Sequence, residues 1–239
     1  MKRIVSLLTA VLMLLSLSAC SHSAEALSEK YAAAKLLYEA GYSASVDFRM
    51  TVNGRAAEGE FEVLVAGEDA SVIRKESNSA RFYVKGCAYR KSYFVNGAYY
   101  EDTEQRPARV AERVDRAAFA AECASFFCIN PYASAFPALT PEMLADAEVT
   151  AEGGREAFSV ALSAEAVKAY LCDETLTSAE GILMAAFDEI GDLSALSLNL
   201  TVTGTDGATR GFEIVYNFYQ RGGVPAVMAP EDAQTYIEL

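Results

Sequence analysis

The residues able to do chemistry are few in kind. The one histidine, His22, stands close to the start of the chain, so the body of the protein has no imidazole to serve as the base of a Ser-His-acid triad. No glycine-rich phosphate loop, nucleophile elbow or metal-ligand spacing occurs. Carboxylates are plentiful, but Glu58, Glu60 and Glu62 share the strand face opposite Phe61 and Val63, the pattern of a solvated outer surface. Thr205-Asp206-Gly207 is too short for a calcium loop and reads as a turn. The expectation is a protein that is not an enzyme and that carries neither a cofactor nor a metal.

Cysteine is the remaining reactive type, at Cys20, Cys87, Cys123, Cys128 and Cys172. The first ends a leader. Lys2-Arg3 is followed by an apolar run from Ile4 to Leu17, interrupted by Ser6, Thr9 and Ser16, that is shorter than the roughly 20 residues a spanning helix needs. Leu17-Ser18-Ala19-Cys20 closes it. This segment resembles the lipobox of bacterial lipoproteins. The resemblance implies a signal peptide over 1–19, diacylglycerol attached to Cys20, and a domain held on the extracytoplasmic side of the cell membrane. Ser21 next to the anchor implies transfer to the outer membrane where the host has two. Several acyl chains would make the anchorage durable. Residues 20–23 form the tether, and Ser21 to Ala24 reach at most roughly 14 Å, so the domain over 24–239 rides close to the bilayer.

The other four cysteines allow three disulfide pairings, and spacing does not choose among them. Within one continuous helix, Cys123 and Cys128 would be about 7.5 Å apart along the axis, too far to bridge unless the helix ends between them near Asn130-Pro131. Buried free thiols, packing as small hydrophobes, are the default expectation.

The formal charge is −13, and loss of the leader removes Lys2 and Arg3 and makes it more negative. Such a surface repels phosphate backbones and anionic lipid, which argues against nucleic-acid binding and against docking on membranes by charge. An apolar content of 52% rules out a disordered chain.

Periodicity then supplies the elements. Leu27, Tyr31, Ala34 and Tyr38 recur at helical spacing over 24–40, and Gly41 ends the helix. Val46, Phe48, Met50 and Val52 alternate with polar residues, Asn53-Gly54 turns the chain, and Phe61, Val63 and Val65 return. Further strands are expected at 72–73, 82–84 and 88–95, with a second hairpin turn at Asn96-Gly97. A helix is expected over 107–127, a short one from Pro141 to Leu144, one after Ser163 to Leu171, and one opened by a Thr177–Glu180 capping box. Strands are expected at 148–150 and 158–162 across Gly153-Gly154. Leu196, Leu198, Leu200 and Val202, then Phe212, Ile214, Tyr216 and Phe218, form the cleanest hairpin, followed by a last strand from Val224 to Met228.

Eight to ten strands, mostly in hairpins and oily on one face, make an α+β domain: a large curved antiparallel sheet, an incomplete β-barrel, wrapped around the leading helix and the inserted helices. No repeat or linker divides it.

With its lipobox, the helix at Tyr31, the string Tyr93-Phe94-Val95-Asn96-Gly97-Ala98-Tyr99-Tyr100 and the segment from Pro230 to Tyr236, the chain resembles the LolA/LolB-type fold, and in particular the LppX/LprG-type lipoproteins. The resemblance implies an apolar hollow between sheet and helices that holds acyl chains. Phe48, Phe61, Phe158, Phe212, Tyr216 and Phe218 are the candidates to line it, with a packed core as the competing use of the same rings. The alanine-rich stretch from Ala117 to Ala124 fills space thinly and favours a hollow. The expected function is an anchored extracytoplasmic lipoprotein binding a lipid or acyl chain. The other reading is an anchored module that contacts or senses an envelope protein and binds no small ligand.

Overall fold

The computed structural model describes residues 23–77, 79–92 and 109–239. The leader, Cys20 and the Tyr93–Tyr100 string lie outside them. Among the described residues no helix is long and apolar enough to cross a membrane.

Helix α1 spans Ala24–Ala40 and is opened by Ser23, whose hydroxyl accepts from the Ala26 N–H. It buries Leu27, Tyr31, Ala34 and Tyr38, the stripe expected from spacing. The strands follow as β1 (Gly41–Val52), β2 (Arg55–Ala66), β3 (Asp69–Arg74), β4 (Ala80–Val84), β5 (Cys87–Lys91) and β6 (Arg109–Arg113). Then come α2 (Arg116–Phe127), a 3-10 turn over Ala133–Ala135, α3 (Pro141–Leu144), β7 (Glu148–Glu152), β8 (Arg155–Leu162) and α4 (Ala164–Leu171). The chain ends with β9 (Ser178–Phe187), β10 (Leu193–Thr203), β11 (Thr209–Arg221), a 3-10 turn over Ala233–Thr235, and β12 (Ile237–Glu238).

Among the described residues, twelve strands join one open sheet in the order β12-β6-β5-β4-β3-β2-β1-β11-β10-β9-β8-β7, with β12 and β7 as its edges. Every pairing is antiparallel except the short parallel contact of β12 with β6. The centre is β2-β1-β11-β10, where Val46 stands between Phe61 and Tyr216, and Leu198 opposes Ile214. These five side chains are buried on one face. Helix residues join the same core: Tyr31 meets Phe158 edge-on, Phe127 meets Phe61, and Phe119 lies against Tyr83.

Three expectations need correction. The stretch 107–127 is not one helix. Arg109–Arg113 is strand β6, which supplies the ladder that β5 needs, and Asp115 starts the helix by accepting from the Ala118 N–H. The Thr177–Glu180 capping box opens no helix. Leu183, Ala185 and Phe187 are buried while Ile182 and Met184 are exposed, a period of two, and β9 hydrogen-bonds on both sides to β8 and β10. Thr177 gives its N–H to the Thr203 carbonyl instead. No strand forms over 224–228, because Gly222 and Gly223 both take left-handed φ and Pro225 has no N–H for a ladder.

Gly41 sets the angle between α1 and the sheet. Its φ is 149°, and a Cβ there would lie 2.8 Å from the Val65 carbonyl oxygen and 2.7 Å from a Val224 methyl. Gly207, at φ 73°, faces open space. We therefore expect Gly41→Ala to cost about 2–4 kcal/mol in chemical denaturation, against about 1 kcal/mol for Gly207→Ala, whose penalty is backbone strain alone. Equal losses would mean that the close approach at Gly41 is not a constraint.

Candidate functional site

The segment from Cys128 to Leu139 decides where space is left above the sheet. Apart from one 3-10 turn it makes no regular structure, yet Ile129, Tyr132, Ala133 and Phe136 are buried. Carbonyls in a buried loop need donors, and side chains supply them. Tyr216 donates to the Asn130 carbonyl at 3.0 Å and Tyr42 to that of Pro131 at 2.5 Å. Ser28 and Lys35 of α1 donate to the carbonyls of Leu139 and Phe136, at 2.9 and 2.6 Å. The Asn130 side-chain oxygen accepts from the Tyr132 N–H, and the Tyr170 and Tyr216 hydroxyls share a 2.7 Å hydrogen bond beneath.

Above this loop lies a cleft of about 790 Å³ bounded by α1, α2 and α4. Tyr132 and Phe136 form its floor, and Ala117 and Ala120 of α2 face Ala166 and Ala169 of α4 across it. The walls recede because these side chains stop at Cβ. Its size falls within the range of small-molecule sites. Arg116 and Lys35 stand at the cleft. The guanidinium lies 3.9 Å over the Tyr132 ring, and burial lowers the Lys35 pKa while the charge of Glu39 acts the other way. A second, more polar hollow of about 610 Å³ lies among Arg49, Thr51, Asn199, Thr201 and Glu213.

The aromatic candidates fall into three groups. Tyr216 and Phe218 stack on each other and touch Phe136, so they lie one ring behind the cleft floor. Phe48, Phe61 and Phe212 form a separate cluster, closed by Phe127 from α2, and Phe212 also borders the polar hollow. Phe158 packs against Tyr31 and Phe187. Phe61, Phe158, Phe212 and Tyr216 are buried, and Phe48 and Phe218 are half-buried. Spacing alone did not single out Lys35, Arg116, Tyr132, Phe136 or the α4 alanines. The available signal was alanine itself, since two residues of the Ala117–Ala124 stretch do line the cleft.

The thiols are unpaired: Cys123 is buried, Cys87 and Cys128 half-buried, and Cys172 exposed, which corrects the expectation of four buried thiols. Burial pushes Cys128 up to about 11 and raises Cys123 and Cys172 as well, so none of these three is a ready nucleophile near neutrality. Among the described residues no three potential ligands gather to hold a metal ion. The cleft is an open hollow that offers an apolar group a small-walled lining with cations beside it.

No protein-family model and no curated protein matches the chain. Solved structures similar to it include a LolA superfamily protein from Nitrosomonas europaea, at 10% identity, covering 89% of this chain and 96% of that one, with a TM-score of 0.29. A DUF1329 family protein from Desulfovibrio piger aligns at 7% identity over 85% and 95% of the two chains, with a TM-score of 0.27. A putative outer membrane lipoprotein-sorting protein domain from Vibrio parahaemolyticus aligns at 11% identity over 84% and 95%, with a TM-score of 0.28. Superpositions this loose carry no argument about function.

Proposed function

We propose that this protein is an extracytoplasmic lipoprotein, anchored through a lipid on Cys20, that binds an apolar ligand without catalysing a reaction on it. The observation that carries the reading is the alanine-walled cleft of about 790 Å³ over Tyr132 and Phe136. Small walls over an aromatic floor take an alkyl chain, and the raised pKa of Cys172 at the cleft, with no histidine after His22 in the sequence, favours holding over reacting. Anchorage rests on the Leu17-Ser18-Ala19-Cys20 sequence. In this reading the sheet curls over its helices, and the ligand lies along the alanine walls above Phe136.

Native mass spectrometry of protein extracted from membranes tests both halves. The expected spectrum has a covalent lipid mass, absent in Cys20→Ser, and a separate non-covalent apolar mass retained in Cys20→Ser. Ala117→Phe, at an exposed wall position, should lower that second occupancy several-fold while leaving the fold intact. Consistent absence of any non-covalent lipid, together with failure to take up an added alkyl probe, would remove the ligand reading.

A further inference from the structure

We propose that the ligand of the cleft is a single-chain anionic amphiphile, its alkyl chain along the alanine walls and its acid group between Lys35 and Arg116. The proposal deepens the reading above and rests on it. The chain carries 33 acidic and 20 basic residues, so a random cleft would be bordered by carboxylates. Here two cations and a single carboxylate line one apolar hollow, and among the described residues neither cation makes an ion pair. The cations of the Arg81–Glu122–Arg90 cluster, by contrast, are taken up by carboxylates.

Both groups are also held in place. Lys35 spends one donor on the Phe136 carbonyl and keeps two. Arg116 is held with its guanidinium carbon 3.9 Å over the Tyr132 ring, and a ring contact takes up none of the N–H donors that a carboxylate would need. Burial disfavours the Lys35 ammonium and the charge of Glu39, one helical turn on, offsets that only in part, so an incoming anion relieves the remaining cost. Glu165 also borders the cleft, but it is exposed at the start of α4, where its own backbone N–H and then the Ser163 hydroxyl lower its pKa. It screens the site from one side and does not pair with either cation. The hollow of about 790 Å³ is of the size of a small-molecule site, which has room for one amphiphile of moderate chain length.

Equilibrium dialysis of the full chain carrying Cys20→Ser, with dodecanoate and dodecanol as matched probes, tests the claim. The acid should bind about tenfold or more tightly than the alcohol, the scale of one charge-assisted hydrogen bond. In Lys35→Gln/Arg116→Gln the ratio of acid to alcohol affinity should fall to about one, whatever the two substitutions do to the alcohol's own affinity through the Phe136 carbonyl and the Tyr132 ring. Equal binding of the two probes to the parent, or an acid preference that survives the double substitution, overturns the anionic assignment while the apolar reading stands. Binding of neither probe removes the apolar reading and this proposal together. Displacement of dodecanoate by phosphatidylglycerol vesicles, with no effect of phosphatidylcholine vesicles, would overturn the single-chain assignment in favour of a two-chain anionic lipid.

Discussion

Raised through pH 10 to 11.5, the protein should unfold in one steep step, with its buried tyrosines ionising together as it does so. Tyr31, Tyr38, Tyr42, Tyr132, Tyr170 and Tyr216 are each no more than 2% exposed, and burial is the leading cause that raises every one of their pKa values, Tyr38 to about 12. In the unfolded chain a phenol ionises near 10. The folded state therefore keeps protons that the unfolded state sheds above that point. The stability these groups give is fully present below about pH 10 and is lost as pH climbs toward the folded values. At pH 11 each contributes a loss of about 1.4 kcal/mol, and six together lose about 8 kcal/mol, comparable with the whole stability of an ordinary domain. Phenolate absorbance and circular dichroism followed on one sample should change together, with at least six of the 13 tyrosines in the step. Gradual ionisation centred near pH 10 with the fold intact would show that these hydroxyls are open to water.

Those tyrosines also show what could be read from the chain and what could not. Tyr31 and Tyr38 stand at helical spacing, and Tyr216 alternates with polar neighbours, so their inward direction was legible before any coordinates. Their hydroxyl partners were not. Tyr42 and Tyr216 hold the carbonyls of Pro131 and Asn130, more than 80 residues away, and no local pattern encodes such a pairing. The central strands were legible for the same reason as the tyrosine directions: a sheet with one buried face writes a period of two into Val46, Leu198 and Ile214. The segment 178–187 was misread because Leu183, Phe187 and Ile190 fit a helix while Leu183, Ala185 and Phe187 fit a strand. What decides is the vacancy between β8 and β10, a non-local fact.

The cleft was half legible. Alanine in α2 announces that little side-chain volume is present, but not which alanines face each other. Ala117 and Ala120 meet Ala166 and Ala169 only because α4 crosses from a distant part of the chain. Likewise the aromatic rows announce an oily face without saying whether it is filled. The filling comes from the irregular loop 128–139, where Phe136 packs against Tyr42, Tyr216 and Phe218. A loop that looks like connection in sequence is here a piece of core, because side-chain donors satisfy its carbonyls.

Glu122→Ala should be among the most destabilising substitutions at any charged residue, by about 3–5 kcal/mol. Glu122 lies on α2 and takes the Arg81 guanidinium of β4 at 2.8 Å and that of Arg90 on β5 at 2.6 Å, so one carboxylate ties the helix to two strands. The Arg81 side chain is only 5% exposed, sits 4.4 Å over the Phe126 ring, and gives further hydrogen bonds to the carbonyls of Ala80 and Lys91. Removing the carboxylate leaves that buried cation with neutral partners alone, and the loss is the unanswered desolvation of its charge. The exposed pairs Arg49–Glu58 and Arg155–Glu189 supply the contrast: their loss should cost about 1 kcal/mol or less, because water takes over each partner. The double substitution Arg81→Met/Glu122→Leu should recover much of the loss, since it removes the charge and its partner together. Urea midpoints for the two singles and the double, at unchanged m, measure this directly. A cost below about 1 kcal/mol for Glu122→Ala, or strict additivity in the cycle, would mean that α2 is held to β4 and β5 by its apolar face alone and that the ion cluster merely decorates the contact.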